Sequence, residues 1–288
     1  MAKRNQKVWK PQWPYVLNSG SDQADGLVGW WPGIERSPTF LDLTGRGNVA
    51  SIIGALPASG IYGTGQDSGR NAFKASGATN YLDAGVPTYL DGVAAFSLVA
   101  WINIASFTDF TGIIGKGNVN TNMIEFITGG TGAGSNDGLF VRIANGANNF
   151  GVTGAGLFTA GQWAHVGVAY NGNGSGNAGK VQVYFNGSGQ TLTFTNTVPS
   201  TTNTNSNHLT FANDLFVNTI LNGKIEDIRI YNRTLSANEF FALYNPTTRW
   251  QLRYQPGKVR YFLTSGVTTP PIGRIIEVNQ SVKSASLF

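Results

Sequence analysis

Apolar residues in this chain fall into short runs, each stopped by Gly, Asn or Pro, and the runs predict strands. Gly26–Pro32 is the first, an apolar stretch around Trp30 and Trp31 closed by proline. Ala72–Lys74 and Asn80–Gly85 follow, separated by the turn pair Ser76-Gly77. The longest run, Ala95–Ile104, is apolar at nearly every position, which predicts burial on both faces near the middle of a sandwich. Further strands are predicted at Gly112–Lys116, Met123–Ile127, Leu139–Ile143, Asn149–Val152, Trp163–Tyr170, Lys180–Asn186, His208–Ala212 and Lys224–Tyr231. The Gly/Asn segment Asn171–Gly179 predicts a hairpin, because these residues reach positive φ at low cost. A helical pattern appears at Thr234–Tyr244, with Ser236 as N-cap, Glu239 at the capping-box position and a stop before Asn245-Pro246. Many short strands and one late helix predict an all-β fold, a two-sheet antiparallel sandwich.

Composition agrees with that pattern. Among 288 residues, 38 are Gly, 12% are charged and 41% are hydrophobic, which suits turn-rich β structure with a substantial core and excludes a helical bundle or a disordered chain. No Cys is present, so disulfides and thiolate metal sites are excluded. The basic start Met1–Lys7 is not followed by an apolar signal core, and no run approaches the roughly 20 residues of a membrane span, so we expect a protein made in the cytoplasm without membrane insertion.

Charge divides the chain in three. Residues 1–15 carry Lys3, Arg4, Lys7 and Lys10 with no acid, and residues 246–288 carry Arg249, Arg253, Lys258, Arg260, Arg274 and Lys283 against Glu277 alone. The net charge is +5, so the middle is acidic. The expected organisation is a basic, aromatic arm (1–25), a sandwich domain (26–245) and a second basic arm (246–288), with an acidic partner drawn to the arms rather than to the domain face.

In order and spacing, several motifs resemble the concanavalin-A-like lectin/glucanase superfamily, in its laminin-G-like branch. Gly26–Pro32 is similar to the opening strand of that family, and Asp42-Leu43-Thr44-Gly45-Arg46-Gly47-Asn48 resembles its Asp-x-Ser-Gly-x-Gly-Asn loop. Asn80–Gly85 resembles Asp-Tyr-Val-Asp-Leu-Gly with Asn for the first Asp, and Phe96–Ile102 resembles Phe-Thr-x-x-Ala-Trp-Val. Trp163-Ala164-His165-Val166, Tyr184-Phe185-Asn186-Gly187 and Asn222–Ser236 complete the set, which spans about residues 26–245. The resemblance implies a jelly roll with the helix at its end, and leaves lectin, hydrolase, adhesion module and spacer open as functions.

The residues themselves argue against hydrolysis. Retaining glucanases of the superfamily place Glu-x-Asp-x-x-Glu on one strand, and this chain has no such motif. Glu226 and Asp227 are adjacent, which strand alternation sends to opposite faces, and His165 in mid-strand reads as a hydrogen-bonded structural residue. The resemblance implies a structural Ca²⁺ at Asp42, Asn48 and Asp227; the alternative is that Asp42 caps its Gly-rich turn and Asp227 pairs with Arg229 or a backbone amide. For sugar binding, Trp30, Trp31, Trp101 and Trp163 sit in strand motifs and are expected in the core, while Trp9, Trp13 and Trp250 sit in the arms.

Both arms interleave cations, aromatics and Pro, the composition of interface anchors, and Trp9, Trp13, Arg249, Trp250, Arg253 and Arg260 are the expected docking residues; the alternative is that the arms fold back over their own domain. Residues 246–262 also resemble the basic tail that follows such domains in tailed-phage structural proteins, although Thr247-Thr248-Arg249 separates Pro246 from Trp250. The expected function is a non-enzymatic virion component, a capsid decoration or fibre-type protein present in many copies. Its partners would be major capsid or tail proteins and cell-surface glycans. A bacterial carbohydrate-binding module is the alternative.

Overall fold

The computed structural model describes residues 16–33, 39–55, 62–66, 71–129, 137–214, 216 and 218–254. The strands are β1 (Val16–Leu17), β2 (Leu27–Trp31), β3 (Thr39–Phe40), β4 (Ala50–Ile53), β5 (Tyr62–Thr64), β6 (Asn71–Ser76) and β7 (Tyr81–Asp83). They continue with β8 (Ala95–Ile104), β9 (Thr111–Lys116), β10 (Asn122–Thr128), β11 (Leu139–Asn145), β12 (Phe150–Val152), β13 (Trp163–Asn171) and β14 (Val181–Phe185). The last are β15 (Ser188–Gln190), β16 (Thr193–Thr195), β17 (Leu209–Phe211), β18 (Asn213–Asp214), β19 (Thr219–Ile220), β20 (Asn222–Tyr231) and β21 (Arg253–Tyr254).

Two antiparallel sheets face each other. One has the order β16-β12-β11-β10-β9-β17-β7-β4-β3, the other β15-β14-β13-β8-β20-β6-β5 with β2 also on β20. The sandwich predicted from the short apolar runs and their turn residues is therefore the observed fold. β8 has the predicted bounds and is buried along almost its whole length. Alternation places Phe96, Leu98, Ala100, Ile102 and Ile104 in the core between the sheets, opposite Ile114, Phe126, Val141 and Phe211. Segments without a strong period, such as Ala50–Ile53 and Thr193–Thr195, also become strands at or next to a sheet edge, because pairing with a neighbour supplies what their own pattern does not.

The helix α2 (Ala237–Tyr244) forms as expected, with the reciprocal Ser236–Glu239 capping box. Burial raises the Glu239 carboxyl, but hydrogen bonds from Arg233 and Ser236 win and hold it at about 2. β13 and β14 form the expected hairpin, Val166↔Phe185 to Tyr170↔Val181, and within its Gly/Asn loop Gly176–Lys180 closes into one helical turn, α1. No helix among the described residues is long and apolar enough to cross a membrane.

The domain is larger than residues 26–245. β1 pairs with β21 through Val16↔Tyr254 and Leu17↔Arg253, and Asn18 N donates to Leu252 O at 2.7 Å. Leu252 joins a second apolar layer with Trp30, Val99, Tyr184, Tyr231, Phe240 and Leu243 on the outer side of the eight-stranded sheet. Both supposed arms thus contribute their domain-proximal parts to the fold, because a sheet with an apolar outer face needs cover. Gly167 lets the helix approach: a Cβ there would sit 2.3 Å from the Phe240 ring.

Candidate functional site

Asp227 sits at a β-bulge in β20. Glu226 pairs with Trp101 but Arg229 with Val99, so one extra residue enters the strand, and Asp227 takes up the excess with φ 51°. The bulge cancels the alternation that predicted opposite faces, since both Glu226 and Asp227 turn to the outer layer. Glu226 Oε1 accepts the Gln66 amide at 3.1 Å. Asp227 Oδ1 accepts from Trp30 Nε1 at 2.8 Å, and Oδ2 from Arg229 Nη2 and Arg253 Nη2 at 2.9 Å each. Arg229 also reaches Gln23 Oε1, whose amide donates to Thr248 O, tying both ends of the chain to the sheet.

The three expected docking residues that fall in the described region face inward. Arg249, Trp250 and Arg253 are all buried, with the Arg249 and Arg253 guanidiniums over the Trp250 ring at 4.4 and 4.6 Å and Arg249 also over Trp101 at 5.2 Å. The fold-back alternative holds for these residues, whose flat cations and indole cover the outer layer. Trp9, Trp13 and Arg260 lie outside the described residues.

The proposed calcium ligands do not converge. Asp42 and Asn48 touch at 2.7 Å, but Asp42 also accepts from the Trp30 and Thr44 amides and the Thr44 hydroxyl. Asp227 meets the same tryptophan at its indole nitrogen. These carboxylates face N–H, hydroxyl and guanidinium donors, which supply the positive potential an ion would provide, so the set does not fit Ca²⁺. Asp42 caps its turn as the alternative reading expected.

His165 is buried and its ring lies 5.1 Å from that of Trp101. Burial, with Arg229 and Arg249 adding to it against Asp227, lowers the imidazole to about 3, so it stays neutral at ordinary pH. Its backbone exchanges hydrogen bonds with Asn186.

A second polar centre, not predicted from the sequence, lies on the other sheet. Strand register aligns Ser51, Asp83, Thr210, Gly115, Glu125, Arg142, Phe150 and Thr195 in one cross-strand row on the outer face of the nine-stranded sheet. At its middle Arg142 Nη1 lies 2.7 Å from Glu125 Oε2, with the guanidinium over Phe140, Phe150 and Phe216. The short ribbon β18–β19 folds across this centre after Ala212 turns the chain through φ 62°. It carries the buried Asp214 beside Glu125. Burial first, then the neighbouring Asp214, push the Glu125 carboxyl well above its usual range against the pull of Arg142. A buried carboxyl beside a second acid favours its protonated form. Glu125 between the inward Ile124 and Phe126 carried a signal, an acid in an apolar alternating strand; Asp214, 89 residues away, did not.

The open ends of the row are different. Ser51 is exposed, Tyr81 is half-buried, and the exposed His208 contacts both Asp83 oxygens at 2.8 Å.

The raised Glu125 carboxyl gives stability a definite pH slope. Because folding raises the Glu125 pKa, its contribution is complete below the ordinary carboxylate range and is lost as pH rises toward the folded-state value, by at most about 1.4 kcal/mol per unit. Glu125→Gln keeps a donor and cannot ionise. We expect its stability relative to wild type to be higher at pH 8 than at pH 5 in urea unfolding; equal pH slopes would contradict this.

A family model described as concanavalin A-like lectin/glucanases superfamily matches residues 76–240, more than half of the sequence. The chain belongs to the concanavalin A-like lectin/glucanase superfamily. Domain 4 of the extracellular arabinanase AbnA from Geobacillus stearothermophilus, solved with arabinotriose, is 17% identical with TM-score 0.57, over 76% of this chain and 98% of that one. Trypanosoma rangeli sialidase with sialic acid is 16% identical with TM-score 0.51, over 76% of this chain and 32% of that one. A structure on ganglioside-dependent cell entry of botulinum neurotoxin type C is 16% identical with TM-score 0.54, over 82% of this chain and 53% of that one. At these identities the likeness is one of fold. No curated protein matches the sequence.

Proposed function

We propose that this superfamily member is a non-enzymatic, lectin-like structural component of a tailed-bacteriophage particle, binding glycans through its sandwich and attached by its basic ends. The observation that carries the non-catalytic part is the closed state of the Glu125–Asp214 pair. Glycosidase carboxyls stand roughly 5 to 9.5 Å apart with substrate between them. Here Glu125 and Asp214 are each 1% exposed, Asp214 lying on the β18–β19 ribbon that covers Glu125, with Arg142 against Glu125.

Glycan binding is supported by the solved relatives, whose structures hold arabinotriose or sialic acid or concern gangliosides. Attachment is supported by the β1–β21 pairing. The antiparallel pair sets Val16 beside Tyr254, so the basic sequences 1–15 and 255–288 join the domain at one place, from which they can engage one acidic partner together. A second reading, a carbohydrate-binding module of a bacterial protein, is favoured by the inward placement of Arg249, Trp250 and Arg253 and by the near-complete match to an arabinanase domain.

The test is mass spectrometry of density-banded particles from the source, with a glycan array of the purified chain. Stoichiometric presence in particles supports the virion reading. Absence from them, with glycans bound on the array, leaves the bacterial module. An array with no binder sinks the glycan half of either.

A further inference from the structure

Five tryptophans lie in the described region, and four of them are no more than 7% exposed. Trp163, expected in the core with its strand motif, is the exception and is half-buried. It opens β13, beyond the part of the sheet that α2 and the terminal segment cover. Register fixes its company. Trp163 pairs with Asn103, Asn103 with Lys224, and Lys224 with Lys74, so the four occupy one row on the outer face of the eight-stranded sheet.

Lys224 is held in place. Its stem crosses Gly63, where a Cβ would stand 2.7 Å from Lys224 Cδ, and its ammonium reaches Thr64 O at 3.4 Å. The same nitrogen lies 6.0 Å from the centre of the Trp163 ring. Asn103 gives its amide to Gly161 O at 2.6 Å and so braces the floor of the row. Lys74, half-buried with a contact of its own, adds a second positive charge beside Lys224.

An indole face with an ammonium about one sugar ring away selects for a particular chemistry. The C–H face of a pyranose stacks on the indole, and a carboxylate on that ring meets the ammonium. A neutral sugar uses only the first contact and an inorganic anion only the second. We propose that Trp163 and Lys224 form a binding site for an acidic sugar, a uronic or sialic acid residue of a glycan. The proposal rests on the glycan-binding reading above and narrows it to anionic sugars at a named place.

The experiment is calorimetric titration of the full chain with trigalacturonate and 3′-sialyllactose, against galactotriose and lactose as neutral counterparts. At least one acidic probe is expected to bind about tenfold tighter than its neutral counterpart, with affinity falling as salt rises. Trp163→Ala and Lys224→Met are each expected to weaken it about tenfold or more, while Trp163→Phe and Lys224→Arg, which keep the ring and the charge, retain most of it. Should a glycan bind without regard to charge, or should both disruptive variants bind like wild type, the site is wrong while glycan binding stands. Failure of all four probes overturns this site, and the wider reading falls only if the array is also blank.

Discussion

Asp227→Ala should destabilise the protein by about 3–5 kcal/mol, the range for removing one partner of a buried ion pair. The carboxylate is 4% exposed, and it answers the Arg229 and Arg253 guanidiniums and the Trp30 indole at once. Without it, two buried cations face each other across the space it left. Alanine also pays the penalty of φ 51°, a backbone region that Asp and Asn tolerate better. Asp227→Asn should therefore cost less than Asp227→Ala. For a domain of this size the alanine variant should melt about 10 °C lower. Replacing Arg253 by Met in the Asp227→Ala background should restore part of the loss, because one orphaned charge leaves with it. A loss below about 1 kcal/mol in thermal or urea unfolding would mean that the network does not hold the terminal segment to the sheet.

Gly112→Ala should be the second severe substitution, for a different reason. An added Cβ would stand 2.0 Å from the Asn213 carbonyl carbon and 2.1 Å from the Asp214 nitrogen, both backbone atoms of the ribbon over the nine-stranded sheet. No rotamer relieves a clash with backbone, so the ribbon must lift. Overpacking of this kind costs about 1–3 kcal/mol or more. Lifting also parts Asp214 from Glu125 and admits water, so the pH slope assigned to Glu125 should flatten in the same variant. Gly154 is the control, with open space around its Cβ position and ordinary backbone; Gly154→Ala should be neutral. Equal stability of the two alanine variants would show that the ribbon does not press on the sheet.

Much of the architecture could be read from local pattern. Ala95–Ile104 and Trp163–Tyr170 were bounded to within a residue, because a strand buried on both faces leaves an unbroken apolar run. The capping box of the last helix was legible because its partners are three residues apart. Glu226 and Asp227 depart from strand alternation because the bulge that turns them to one side depends on how β20 lies against β8. Arg249, Trp250 and Arg253 looked like surface anchors, since cations and indoles in a Pro-containing tail have the composition of an interface. That they bury in their own fold depends on an apolar outer face to the sheet, with Asp227 inside it, formed by residues far away in the chain.

The sequence by itself determined the class of fold, the run of strands, the late helix, the family and the concentration of positive charge at the two ends. These follow from side-chain period, turn residues and formal charge, which are local or additive. Tertiary structure decided the site. It brought Glu125 to Asp214, closed the supposed calcium set around Trp30, folded the arginines inward, and left Trp163 open beside Lys224. Each of these is a distance between residues on different strands, and register, bulges and covering layers set those distances after the strands have paired.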